Sequence, residues 1–382
     1  MRGVLLFAGA WLAAGCAAAP YRPATDDTVV TTVARRAGMP EIRQLQARLA
    51  AAPADLPTAL ALARRYVALG RAEADPRYFG HAQAVLAPWW GRADAPPEVR
   101  LLRAQLLQNA HQFSAALADL QAVTVSQPRN AEAWLTQAVV QAVQGDHAGA
   151  TASCARVTTL ADQLAGFACL AAASANTARM AASERLLAAT LERSAGAPDE
   201  VRVWALTLLA ESAARRGAAG TSERYYLMAL ALAPNDHYLL GAYADFLLDA
   251  GRPAEVLALL RARHRIDALL LRYALALRAA GGQRAALAAA VAELQARFDA
   301  AAQRGDSVHL REEARFMLHL RGEPAAALAL ARQNWQVQKE PADLRILLEA
   351  AQLAGDERTA RAARDWMRRN GTQDVMLAGS RP

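Results

Sequence analysis

The sequence predicts an all-α protein built as a stack of about nine helical hairpins. Alanine makes up roughly a quarter of the 382 residues, whereas aromatic residues make up only 6%. Alanine has the best helix propensity, and its small side chain lets helices pack closely. No long stretch has the pattern of a β-strand. Small residues also recur at fixed distances from turn-forming positions, which is the signature of a repeat.

The first sixteen residues are typical of a bacterial export signal. Arg2 is followed by an apolar stretch, Val4–Ala14, that is too short to span a bilayer but suits a signal peptide. The segment Ala13-Ala14-Gly15-Cys16 resembles the signal of bacterial lipoproteins, in which a cysteine carries a diacylglycerol. Here Leu12 lies four residues before Cys16, whereas that family has leucine three residues before it.

We therefore predict a signal peptide at 1–16 that ends at a lipidated Cys16, and a protein on the periplasmic side of the cell envelope. The lipid would attach it to the membrane. An ordinary secretory signal, giving a soluble periplasmic or secreted protein, and a cytoplasmic protein are the alternatives. Residues 17–39 are predicted to be a tether with a short extended arm at Thr28–Val33, because this stretch is β-branched.

The repeat covers residues 40–370, and residues 371–382 are predicted to be a C-terminal tail. Seven positions before each turn the residue is alanine in seven of nine units, where composition alone predicts about two. Antiparallel helices need a small residue where they cross, and their turn needs a residue that adopts positive φ, as glycine does readily. The predicted turn positions are Gly70, His111, Gly145, Arg179, Gly217, Gly251, Gly281, Gly322 and Gly355.

Several units depart from this pattern. Residues 71–78 are predicted to be an insertion in the first unit. Arg179 occupies the turn position of the fourth unit, where glycine is expected. Arg315 and Leu348 replace the small residue in the last two units, which predicts a looser or shifted helix crossing there. Five positions after the turn a second small residue is expected, and Ala286 fills that position in the seventh unit.

The pattern resembles the tetratricopeptide repeat (TPR) family, whose unit is a 34-residue helix–turn–helix. The resemblance implies an α-solenoid with a right-handed superhelix, which folds as one body because a single hairpin cannot bury its apolar face. The best copy runs through Leu206, Leu209, Ala210, Gly217, Ser222, Tyr226, Ala229 and Pro234.

In the TPR family the first helices of the units line a concave groove that binds a partner. The resemblance therefore implies a non-catalytic protein–protein interaction scaffold, without a cofactor, that binds a protein, an extended peptide or a partner helix. The implied groove residues are Trp204, Glu211, Tyr238, Asp245, Arg278, His309, Glu312, Phe316, His319, Arg345 and Glu349.

The net charge of +7 does not indicate nucleic-acid binding. The arginines are scattered singly or in pairs, such as Arg64–Arg65 and Arg215–Arg216, whereas a nucleic-acid surface requires clustering on one face. We expect no nucleic-acid partner.

Cys154 and Cys169 lie at similar distances on either side of a turn near Ala161–Asp162. On neighbouring antiparallel helices they would stand at the same height, where an oxidising compartment lets them form a disulfide. Two buried thiols are the alternative. Metal or redox chemistry is disfavoured, because no CxxC motif or histidine cluster accompanies them.

The segment from His309 to His319 is the most polar helix, and an enzymatic, metal-binding or ligand-carrying site there is the alternative function. It does not match the HExxH pattern of zinc proteases. The sequence also lacks a GxSxG elbow and a glycine-rich phosphate loop. We therefore predict that the protein is not an enzyme.

Overall fold

The structure is a computed structural model that describes residues 39–263, 265–306 and 308–378. The predicted signal peptide, Cys16 and the Thr28–Val33 arm lie outside these ranges. Within them all regular structure is helical, and no strand is present. The helices are α1 (Met39–Ala51), α2 (Leu56–Glu73), α3 (Arg77–Val85), α4 (Ala87–Trp90), α5 (Pro97–Asn109), α6 (Phe113–Ser126), α7 (Ala131–Val143), α8 (His147–Leu160), α9 (Gln163–Ala173), α10 (Met180–Arg193), α11 (Asp199–Arg215), α12 (Ala219–Leu232), α13 (His237–Asp249), α14 (Pro253–Leu260), α15 (Asp267–Ala280), α16 (Arg284–Gln303), α17 (Leu310–Phe316), α18 (Pro324–Val337), α19 (Pro341–Leu353), α20 (Glu357–Asn370) and α21 (Val375–Ala378).

These helices pair into nine consecutive hairpins, from α2/α3 to α19/α20, which are numbered here as units one to nine. The first helix of each unit packs against the first helix of the next, from α2 with α5 through to α17 with α19. This continuous packing buries an apolar face that no single hairpin could bury alone. The predicted all-α solenoid of about nine TPR-like hairpins is confirmed.

Seven of the nine predicted turn positions have positive φ, including His111 at 55°. Gly70 does not form a turn, because α2 continues to Glu73 and the left-handed residue is Ala74. Gly70 instead allows α2 and α3 to approach, since a Cβ there would lie 2.6 Å from the ring of Phe79. Arg179 is also not a positive-φ turn residue, with φ at −86° where α10 begins.

The small residues lie at the helix crossings in most units. Six of the seven alanines that precede the turns are at most 2% exposed, and only Ala172 is partly exposed. The prediction for Ala286 is wrong, because this residue is exposed. Two consecutive glycines with positive φ, Gly281 and Gly282, precede α16, and the helix packs through Ala290 and Leu294 instead.

Unit eight contains a π-helical turn, Met317–Arg321, that explains its irregular sequence. A π-helical turn holds one more residue than an α-helical turn. A position found by counting back from Gly322 therefore falls one residue after the equivalent position of the other units. Ala314, which is fully buried, occupies the crossing that the sequence pattern assigned to Arg315. Unit nine has no such shift, and Leu348 itself is buried there.

The array contacts itself along a line that we call the seam. On one side are the turns of units two and four and the end of α7. On the other are the loop between α18 and α19, the end of α20 and the residues that follow it. The hydrogen bonds of the seam, 2.7 to 3.1 Å long, join His111 with Gln338, Val143 with Lys339, Lys339 with Asn176, Asn176 with Thr372, and Ala178 with Asn370.

A disulfide joins Cys154 on α8 to Cys169 on α9, with the two Cα atoms 5.5 Å apart. Both cysteines are buried, and the indole of Trp204 packs against their cluster. The bond ties unit three to unit four. Unit four is the unit whose turn contains no residue with positive φ, so the cross-link lies where the repeat pattern is weakest.

Part of the predicted C-terminal tail belongs to the packed array. Leu377 is 8% exposed in the cluster formed by units eight and nine, and Val375 lies 3.5 Å from the position of a Cβ on Gly217. In the ranges that the structure describes, no helix has the length and apolar character needed to cross a membrane.

Candidate binding groove

Polar side chains from five successive first helices, α11, α13, α15, α17 and α19, meet on one surface, which we call the groove. Two ion pairs show that its sides face each other. Asp245 on α13 accepts a hydrogen bond from Arg315 of unit eight at 2.7 Å. Asp249, at the end of α13, accepts from Arg345 of α19 at 2.6 Å. These pairs join residues 70 and 96 positions apart, so they hold the curvature of the array.

Asp245 lies between two arginines. Arg272 of α15 donates to its Oδ2 at 2.7 Å, while Arg315 donates to Oδ1. Burial opposes ionisation of this carboxyl group, but the two guanidinium groups outweigh it and lower the pKa of Asp245 to about 2. Asp245 is therefore a fixed anion that links three first helices.

A second group joins units six, eight and nine. Glu349 accepts a hydrogen bond from Nε of Arg345 at 2.8 Å and interacts with Nε2 of His319 at 3.0 Å. Burial opposes its ionisation, but these two partners lower the pKa of Glu349 to about 2. Arg345 also holds Asp249, so most of this end of the groove is occupied by internal ion pairs.

Arg311 of α17 gathers three carboxyl groups. Its guanidinium lies 3.2 Å from Glu312, 2.9 Å from Glu340 and 3.4 Å from Asp343. The side chain of Asp343 is fully buried, and this burial raises its pKa to about 6 despite the nearby arginine. One guanidinium group is thus shared by three acidic side chains, so negative charge exceeds positive charge in this part of the groove.

Glu211 of α11 and Tyr238 of α13 form the accessible part of the groove. The hydroxyl of Tyr238 donates to Glu211 at 2.7 Å, and the tyrosine is 66% exposed. Tyr238 is exposed and Glu211 is partly exposed. Glu340 and Arg311, from the opposite side, lie close enough to act on both side chains electrostatically. Burial of its carboxyl group raises the pKa of Glu211, and the charge of Glu211 raises that of Tyr238.

Comparison with known proteins does not assign a function to this groove. No known family model and no curated protein matches the sequence. Among solved structures, a human IFIT1 dimer with PPP-AAAA is similar, with a TM-score of 0.45 and 13% identity over 86% of this chain and 94% of that chain. A TPR protein from Parabacteroides merdae gives 0.28 and 13%, over 81% and 90%. The TPR domain of P58(IPK) gives 0.25 and 15%, over 85% and 96%. At these values the likeness assigns neither ligand nor partner.

The structure places the predicted groove residues in three different environments. Asp245, His319, Arg345 and Glu349 lie in the groove but are engaged in internal ion pairs, as is Glu312. Glu211 and Tyr238 lie in its accessible part. Of the others, Trp204 is partly buried against the disulfide cluster, and Arg278 is exposed near the end of α15. His309 immediately precedes α17.

The assignment of Phe316 to the groove is wrong. Phe316 is fully buried, with its ring centroid 5.3 Å from that of Phe298. The π-helical turn is the reason, because the one-residue displacement moves Arg311 and Arg315 to the positions that were assigned to Glu312 and Phe316. The sequence did contain a signal for this shift, namely an arginine where the repeat requires a small residue.

The polar helix of unit eight has no arrangement that holds a metal ion. In the described part of the chain, no group of three or more histidine, cysteine, aspartate or glutamate side chains is placed so that it could hold a metal ion. His319 instead pairs with Glu349.

Proposed function

We propose that this chain is a non-catalytic scaffold that holds a peptide or a partner helix in the groove, at Glu211 and Tyr238. The observation that carries this proposal is the 66% exposure of Tyr238 beside a carboxylate in a surface otherwise engaged in ion pairs. Tyrosine is enriched at protein interfaces because its ring is apolar and its hydroxyl is polar.

The contacts that cross the groove support this proposal. The Asp245–Arg315 and Asp249–Arg345 pairs and the seam join helices that are far apart in the sequence, which favours one arrangement of the first helices before a partner binds. A surface fixed before binding loses less conformational entropy when a partner binds, which favours affinity. The perturbed carboxyl groups Asp245 and Glu349 are ionised and paired, so they serve to orient helices and are not proton donors at neutral pH.

We also propose that the protein is exported and anchored in the cell envelope. The features of residues 1–16 support export and a lipid anchor at Cys16. The disulfide between Cys154 and Cys169 agrees with an oxidising compartment, because such bonds form there and are rare in the cytosol. A Cys16→Ser variant should no longer incorporate labelled lipid or partition with membranes. Unchanged lipid labelling would contradict the anchor.

Site-specific photo-crosslinking in cells tests the binding surface. Benzoylphenylalanine at position 238 keeps an aromatic ring in the groove and should give a discrete crosslinked protein band. The matched control is the same residue at position 227, because Leu227 is also exposed (52%) but lies on α12, a second helix. A band at position 227 and none at 238 would move the binding surface out of the groove. No band at either position would contradict the scaffold proposal.

A further inference from the structure

We infer that the groove recognises a basic segment of its partner, with a lysine or arginine side chain seated on Tyr238 and paired with Glu211. This inference rests on the proposed scaffold function and specifies the chemistry of the partner. The acidic residues of the groove differ in their partners: most contact a guanidinium group, whereas Glu211 contacts a neutral hydroxyl.

Most groove carboxylates already meet a guanidinium group. Asp245, Asp249 and Glu349 do so at 2.6 to 2.8 Å. Glu211 differs from them, because none of the ion pairs among the described residues includes it, and its hydrogen-bond partner is the neutral hydroxyl of Tyr238.

Arg215 and Arg311, the two arginines whose charges act on Glu211, are engaged in hydrogen bonds elsewhere. Arg215, one helical turn further along α11, donates to the backbone carbonyl of Ala175 at 2.7 Å. Arg311 is shared among Glu312, Glu340 and Asp343. Neither arginine can leave its partners without exposing a carbonyl or carboxylate that is now satisfied. Both arginines act on Glu211 only at longer range, so a positive charge paired directly with its carboxylate would come from another molecule.

The chemistry around Glu211 selects a cation over other groups. Glu211 is partly exposed, but its carboxylate has lost part of its hydration, which raises its pKa. A partly dehydrated carboxylate is stabilised when a positive charge accompanies it. An apolar side chain would leave that carboxylate unpaired, and an anionic one would also be repelled by the acidic cluster around Arg311. The exposed ring of Tyr238 offers a cation–π contact, and the methylene groups of lysine or arginine can lie along it.

The test is fluorescence anisotropy of labelled extended peptides with the purified mature chain. A lysine-rich peptide should bind, with weaker binding at high salt, whereas the same peptide with glutamate at every lysine position should not bind. Glu211→Gln, which keeps the size and the hydrogen bond but removes the charge, should weaken binding about tenfold. Glu200→Gln is the matched control, because Glu200 is exposed in the first turn of the same helix. It should bind like the unmodified protein.

Two further variants separate the roles of the tyrosine. Tyr238→Phe keeps the ring and should retain most of the affinity, whereas Tyr238→Leu should lose it. Equal binding of the lysine and glutamate peptides, or equal effects of Glu211→Gln and Glu200→Gln, would overturn the inference. If photo-crosslinking at position 238 still captures a partner in that case, the scaffold function stands and only the basic chemistry is wrong. If crosslinking also fails, both proposals fall.

Discussion

Nε2 of Gln338 lies 3.1 Å from Nδ1 of His111, across a separation of 227 residues. A chain of buried groups sets the direction of this hydrogen bond. Asn334 donates from Nδ2 to Asp343, so its Oδ1 is turned toward the amide nitrogen of Gln338. Gln338 therefore donates to His111, and the imidazole must accept at Nδ1. The seam is formed with His111 neutral.

The first prediction concerns pH. Burial, together with the charges of Arg311 and His309, lowers the pKa of His111, although Asp343 and Glu312 act in the opposite direction. Because the folded-state pKa lies below the unfolded value of about 6.5, the folded state binds fewer protons in this range. Stability is therefore full above that value and is lost as the pH falls toward the folded-state pKa.

His111→Asn should reduce this loss, because asparagine tolerates the positive φ of the turn but does not titrate. We expect the melting temperature to fall less between about pH 7.5 and about pH 5.5 than in the unmodified protein. His147, whose pKa is also lowered by burial, keeps part of the dependence in this variant. An identical fall in both proteins would show that His111 does not titrate in the seam.

The second prediction tests the seam through two glycines with nearly identical φ, Gly371 at 69° and Gly355 at 68°. A Cβ on Gly371 would lie 2.6 Å from the Cβ of Ala178, whereas nothing lies within 4 Å of one on Gly355. Alanine at either position carries the same backbone cost, about 1 kcal/mol. Only Gly371→Ala should also separate the seam.

Hydrogen exchange measures the difference. The amide of Ala178 donates to the carbonyl of Asn370, so it should exchange faster in Gly371→Ala and remain protected in Gly355→Ala. Equal protection in the two variants would mean that the seam adapts to the additional methyl group.

The third prediction tests the register that the π-helical turn imposes on unit eight. Phe316 is fully buried against Phe298, so Phe316→Ala should lower the free energy of unfolding by about 3–5 kcal/mol. His309→Ala, a change just before the same helix at a partly exposed residue, should have a much smaller effect. Chemical denaturation measures both. If Phe316→Ala left the free energy of unfolding almost unchanged, Phe316 would not be a core residue and its assignment to the groove would stand.

The fourth prediction concerns the disulfide. The bond between Cys154 and Cys169 spans 15 residues, and in the chain-entropy model such a loop stabilises the folded state by about 3 kcal/mol. Reduction should therefore lower the denaturation midpoint. A Cys154→Ala, Cys169→Ala double variant should start from a lower midpoint and not respond to reductant. A response in this variant would place the effect elsewhere.

The sequence by itself determined the repeat. Alanine seven residues before a turn glycine is a local requirement of two helices that cross closely, so it can be read from spacing alone, as Ala210 and Gly217 illustrate. Local spacing also predicted the disulfide between Cys154 and Cys169, because both cysteines lie near one turn, although the sequence left two buried thiols open as the alternative.

Only the tertiary structure decided how the groove is used. One additional residue in the π-helical turn rotates the preceding helix, so that Phe316 enters the core and Arg315 reaches Asp245. The seam depends on curvature, which is the sum of small angles at every helix contact. No local pattern encodes a sum over nine units, so the meeting of His111 with Gln338 becomes visible only when the whole array is assembled.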